Sequence, residues 1–220
     1  RGDQMKRQRS DALNTRQSLL EAAGAVFAKK GFWSATHEEI CSRANANLAS
    51  INYHFGSKEN LYVEAWKYSF EKSLEKYPTD GGTISKDPVE KRLRGRVLSI
   101  LRRIADPESF EIDIMLKEMA NPTGLLTEVI MSKTEPGKRD FDSIIREIIG
   151  KGAKEEQIML CHMGIISMCF GPMLHLRSVN EDSQMQKQEF LPMDLGVERL
   201  ADFIVRFSLA GIRSFSKTLK

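Results

Sequence analysis

Residues 36–58 read THEEICSRANANLASINYHFGSK, and the fold turns on how they divide. Thr36 stands three residues before Glu39, the pattern of a capping box, so a short helix opens just after it. Asn45, Ala46 and Asn47 make a tight turn, and asparagine tolerates the left-handed backbone that such a turn needs. Asn47 then caps a third helix over 48–54. At about seven residues that helix is unstable alone in water. It needs anchors, and Leu48, Ile51 and Phe55 share one side, facing Phe27 and Ile40. Ala49, Ser50, Asn52 and Tyr53 are left facing outward. Ser57 caps a fourth helix with Lys58 at its first position, where the positive end of the helix dipole repels a lysine.

A longer helix over 12–30 precedes this stretch, with Leu20, Ala23 and Phe27 on one face, Leu19 and Val26 beside them, and Gly31 as its end. A long supporting helix followed by two short ones across a three-residue turn is helix-turn-helix geometry. Small and amide side chains on an exposed short helix suit a major groove: asparagine pairs with adenine, serine with several base edges, and alanine meets a thymine methyl. An ordinary solvated helix face has the same composition. The residues that follow separate the two readings. Tyr53 and His54 carry polar tips, and the fourth helix opens with free backbone N–H groups and Lys58, a ready anion site. A DNA phosphate accounts for the lysine better than Glu59 does, because Thr36, Tyr53, His54 and Lys58 then rim one recognition helix.

The stretch LLEAAGAVFAKKGFWSATHEEICSRANANLASINYHFGSKENLY, residues 19–62, resembles the DNA-binding unit of TetR-family transcriptional regulators. The resemblance lies in A-x-x-x-F-x-x-x-G-F, the threonine-led second helix and Y-H-F-x-S-K-E-x-L. It implies phosphate contacts by Thr36, His37, Tyr53, His54 and Lys58, and base contacts by Asn47, Leu48, Ala49 and Ser50, to which the outward Asn52 is added. Two departures stand out. Asn45 replaces the glycine of many members at the turn, and Asn52 stands where many have tyrosine, with Tyr53 one place later. The operator of better-known relatives is therefore not transferable. MLKEMANPTGLL, residues 115–126, resembles the C-terminal domain of the CecR-type subgroup.

The rest of the chain reads as helical throughout. PTDGGTISKDP, residues 78–88, is the strongest linker signal. Trp66, Phe70, Leu74 and Tyr77 stripe the helix before it. Beyond it, Asp87 and Pro88 suit N-cap and N1 of a helix to about residue 105. Others follow from DPESF to about 121, over 123–131, over 139–149 after a break at Pro136 and Gly137, over 154–176, and over 195–216 after a polar loop at 179–194. The expected fold is all-α, with about nine to ten helices. It comprises a three-helix helix-turn-helix unit over 1–56 with a basic N-terminal arm, a connecting helix over 57–77, and an effector-binding and dimerisation domain over 88–220. The arm, RGDQMKRQRS, reads equally as a solvated tail.

The resemblance implies a homodimer in which the last two helices pair with their copies. Gly164, Ser167 and Gly171, with Phe203, Phe207, Ala210 and Gly211, are the expected interface residues. An unknown small-molecule effector is implied too. Phe110, Met115, Met119, Met131, Met159, His162, Met163 and Phe170 are candidates to line its cavity, since methionine fills irregular space. A core stripe would contain the same residues.

Other chemistries find little support. The net charge of +3 calls for a local basic surface rather than a global one. Cys41, Cys161 and Cys169 form an odd set in apolar or helical surroundings, as reduced thiols of a cytoplasmic protein do, and no signal peptide is expected. HEEIC, residues 37–41, falls one residue short of a zinc-protease pattern and has no third ligand. His162 and Cys169 lie roughly 10 Å apart along a helix, too far to share one ion. No metal, cofactor or catalytic motif is expected. IMLCHMGIISMCFGPML, residues 158–174, is short for a membrane span and carries a histidine and a proline, so a buried helix is the simpler reading. The expected function is a ligand-responsive repressor that binds palindromic double-stranded DNA as a dimer. The alternative is a helical interaction or enzymatic domain that keeps the fold without operator binding.

Overall fold

A computed structural model describes residues 2–179 and 196–218. Among them are nine α-helices: α1 (Gly2–Ser34), α2 (His37–Ala44), α3 (Leu48–Phe55), α4 (Lys58–Lys76), α5 (Val89–Ala105), α6 (Phe110–Ala120), α7 (Thr127–Ile149), α8 (Glu155–Val179) and α9 (Val197–Thr218). The all-α expectation holds. The polar loop expected at 179–194 lies, past Val179, outside the described residues.

The chain forms two compact units that do not follow its linear order. The first takes Arg1–Glu75 and Pro107–Lys133, the second Lys76–Asp106 and Thr134–Lys220. Residues 107–133 thus pack with the N-terminal segment, a division different from the partition at 56, 77 and 88.

In the first unit, α1 is the platform for α2, α3 and α6. Its expected stripe of Leu19, Leu20, Ala23, Val26 and Phe27 is buried, as are Ile40, Ile51, Tyr62, Trp66 and Ile114 from the helices around it. Each large apolar side chain removed from water there contributes roughly 1.5–3 kcal/mol. The helices approach closely at Gly24, where a Cβ would stand 2.8 Å from Ser69 Oγ and 3.2 Å from Phe110 Cδ2. α1 begins at Gly2, so the segment read as an arm or tail is helical. Its far end is where glycine chemistry places it. Gly31 adopts φ 73° and ψ 175°, a kink that interrupts the helix three residues before Ser34.

A buried carboxylate organises the end of α6. Glu118 accepts hydrogen bonds from Tyr62 Oη (3.0 Å), Thr123 N (2.9 Å), Thr123 Oγ1 (2.9 Å) and Gly124 N (3.0 Å). Four donors compensate the lost hydration, as a buried charge requires.

In the second unit α5 packs against α8 and α9. Leu93, Val97, Leu101 and Ile104 are fully buried on one face. Two expectations need correction. Pro136 does not break the chain into two helices: α7 runs through it. The cost of a proline inside a helix is met by the anchoring of the following turns, where Phe141, Ile144, Ile145 and Ile149 are buried and the buried Arg96 donates to Gly137 O. Asp87 is not the N-cap of α5, which begins one residue later at Val89. Asp87 instead accepts from Ile84 N (3.0 Å) and pairs with Lys91 (2.7 Å). The linker is an ordered turn held on α5, where the backbone of Gly81 meets that of Gly95 without room for a side chain.

Candidate nucleic-acid interface

The turn has the required geometry. Thr36 Oγ1 accepts from Glu39 N (3.2 Å), which caps α2. The reciprocal half of the box is absent, because the Glu39 carboxylate pairs with Lys30. Asn45 adopts φ 50° and ψ 45°, the left-handed state that lets the chain reverse, and Ala46 N donates to Cys41 O at 2.9 Å. Asn47 caps α3, its Oδ1 accepting from Ser50 N (2.9 Å) and Ser50 Oγ (3.0 Å).

α3 turns Ile51 and Phe55 into the core and leaves Ala49, Asn52 and Tyr53 exposed. Leu48 corrects the expectation that it anchors the helix. It is 49% exposed, because the first residue of α3 projects beyond the core edge. Its apolar side chain is thereby available to a partner. Asn47 and Ser50 are tied to each other, so Asn52 is the freer amide on this face.

Gly56 (φ 76°) ends α3, and Ser57 Oγ caps α4 by accepting from Asn60 N at 3.2 Å. Tyr53 and His54 stand edge to face, 4.8 Å between ring centroids. Lys58 lies with Nζ 4.7 Å from the Phe32 ring centroid. Burial lowers its pKa from the ordinary lysine value, and Glu59 opposes the shift. His37 opens α2, and its Nε2 is buried without a hydrogen-bond partner. Thr36 thus stands at the start of α2, Lys58 at the start of α4, and Tyr53 and His54 at the end of α3.

Sequence reading missed two supports of this region. Phe32 carries Lys58, and Arg16 lies over the Phe55 ring (5.2 Å) while pairing with Glu64 at 3.0 Å. Neither contact has a periodic signal, since both join residues distant in sequence.

The expected cavity residues are drawn from both units. Phe110, Met115, Met119 and Met131 belong to the first unit, Met159, His162, Met163 and Phe170 to the second. Met119, Met131, Met159 and Met163 are more than half exposed, because they fall on the outer faces of their helices. His162 Nδ1 is 2.6 Å from Asp142 Oδ1, an intramolecular partner for the polar group considered for an effector. Phe110 does line a cavity of about 380 Å³ in the first unit, with Glu21, Arg43, Tyr68 and Lys72 among its walls. Gly164, Ser167, Gly171, Phe203, Phe207, Ala210 and Gly211 are all exposed, and Phe203 and Phe207 stack at 6.0 Å.

Residues 19–65 match the model of the N-terminal domain of bacterial regulatory proteins of the tetR family. Residues 89–212 match the C-terminal domain of the HTH-type transcriptional dual regulator CecR, more than half of the chain. The chain belongs to the TetR family of transcriptional regulators. Its relatives include the probable acrEF/envCD operon repressor of Escherichia coli K12, 34% identical over 102 residues, or 46% of this chain and 45% of that one. The HTH-type transcriptional repressor NicS of Pseudomonas putida is 39% identical over 59 residues, 27% of this chain and 28% of that one. The match thus spans about half the length, or less, of these curated relatives. A TetR-like transcriptional regulator from Rhodococcus sp. RHA1 shares the fold, with TM-score 0.66 at 14% identity over 90% of this chain and 95% of that one. The described residues contain helices and loops but no strand, and no helix among them is long and apolar enough to cross a membrane.

Proposed function

We propose that this TetR-family protein is a DNA-binding repressor that acts as a homodimer on a palindromic operator, in the cytoplasm, and is released by a small molecule acting through its C-terminal half. The observation that carries the reading is α3. Ile51 and Phe55 hold it to the core while Leu48, Ala49, Asn52 and Tyr53 stay exposed beside the capped starts of α2 and α4. We assign phosphate contacts to Thr36, His37, Tyr53, His54 and Lys58, and base contacts to Asn47 through Ser50 and Asn52. The exposed small and aromatic residues of α8 and α9 support pairing with a second copy, because such a patch is costly in water. Two heads then reach successive major grooves about 34–36 Å apart. A ligand that alters this spacing antagonises DNA binding, and DNA antagonises the ligand to the same degree.

A salt titration of binding to duplexes from the region upstream of its own gene tests the reading. A dimer engaging both half-sites gives a steep log–log salt slope. A protein that binds no such duplex at low salt lacks the proposed function.

A further inference from the structure

We propose that Trp33 is an additional DNA contact, its indole lying along the sugar–phosphate backbone between the Thr36 and Lys58 phosphate sites. This rests on the DNA-binding reading above. Gly31, with φ 73° and ψ 175°, interrupts α1, and the two aromatics after it part company. Phe32 is 7% exposed and Trp33 63% exposed. The indole nonetheless has an aromatic neighbour. It stands edge-on to Phe32, 5.2 Å between centroids at 82°. The same Phe32 ring carries Lys58 Nζ at 4.7 Å. One buried ring therefore supports both Trp33 and the lysine at the start of α4. Thr36, the exposed cap of α2, follows three residues later.

An exposed tryptophan alone signals nothing. This one packs on the ring that also meets Lys58 at the start of α4, three residues before the cap of α2. The occupant that fits is nucleic-acid backbone. An indole offers a flat apolar body and one N–H donor, which match a deoxyribose edge and a phosphate oxygen. Cations are supplied by Lys58, on the same Phe32 ring, and by the exposed Lys29 four residues earlier in the chain; of the carboxylates in these helix starts, Glu39 is engaged by Lys30, while Glu38 and Glu59 are exposed.

The test uses the whole protein and a mixed-sequence duplex of about 30 base pairs at about 50 mM salt, where backbone contacts dominate. The chain has two tryptophans, and Trp66 is 1% exposed. Saturating duplex should change wild-type tryptophan emission and leave that of Trp33→Phe, which reports Trp66 alone, unchanged. Trp33→Ala should bind about fivefold to tenfold more weakly with an unaltered salt slope, since no charge is lost. Lys58→Ala should flatten the slope by about one. If Trp33→Ala binds as tightly as wild type while Lys58→Ala is weakened, the Trp33 contact is refuted and the DNA-binding reading stands. Equal emission changes in wild type and Trp33→Phe also refute it. If wild type fails to bind, both fall.

Discussion

Lys58 Nζ lies 4.7 Å from the centroid of the Phe32 ring, so a lysine at the positive end of a helix has an aromatic face as its intramolecular partner. The contact holds the ammonium at the surface without neutralising it, since a ring quadrupole attracts a cation but leaves its charge intact. Phe32→Leu should therefore weaken DNA binding by about 0.5–1 kcal/mol through the loss of that support. Fluorescence anisotropy against salt separates the two variants: Phe32→Leu keeps the slope, whereas Lys58→Ala reduces it.

Glu118 joins α4 to the loop after α6 through Tyr62 and Thr123. Tyr62→Phe removes one donor of four and should cost about 1–1.5 kcal/mol. Glu118→Ala leaves several buried donors unpaired and should cost about 2–4 kcal/mol. Urea unfolding midpoints at neutral pH would rank them, and equal losses would mean that the loop does not depend on the carboxylate.

Gly95 and Gly82 make a matched pair for testing the ordered linker. A Cβ at Gly95 would fall 2.5 Å from Asp80 O and 2.9 Å from Thr83 Cγ2. Gly95→Ala must displace backbone and should destabilise by roughly 2 kcal/mol or more. Gly82 has φ 78° and open space around it, so Gly82→Ala carries only left-handed strain of about 1 kcal/mol. A mobile linker would tolerate both.

The Asp142 carboxyl is held below its ordinary value of 3.8. Burial pushes it up, but hydrogen bonds from Lys138 and His162 prevail. An acid with a depressed folded-state pKa contributes stability that is full above its unfolded value and is lost as pH falls through the folded one. Asp142→Asn should thus cost on the order of 1.5 kcal/mol at pH 7. The gap to wild type should begin to narrow as pH falls below about 4 and close only below the folded-state value. A gap that stays constant with pH would remove the charge from the explanation.

Phe203 and Phe207 are each just over 60% exposed on α9. Phe207→Glu should leave the fold intact, convert a dimer to a monomer in sedimentation at micromolar concentration, and lower DNA affinity by tenfold or more, since one head then binds alone. A wild-type protein that sediments as a monomer would refute the pairing.

Residues 36–58 carry the outcome for α2 to α4 in their local chemistry. Thr36, Asn47 and Ser57 are caps, Asn45 and Gly56 take positive φ, and each acts within about four residues of itself. The stripe of Leu20, Ala23 and Phe27 is legible for the same reason, because helical periodicity encodes a buried face. What remained illegible depends on residues distant in the chain. Pro136 marks a break by its own chemistry, yet α7 continues because buried side chains on its later turns and Arg96 of α5 hold it. The eight candidate cavity residues share a composition, but tertiary packing divides them between two units and turns four methionines outward. Local hydrogen bonds and helix period thus determined the reading head from the sequence. The platform under Lys58, the satisfaction of Glu118 and the faces left bare on α8 and α9 were decided only where side chains tens of residues apart compete for the same space.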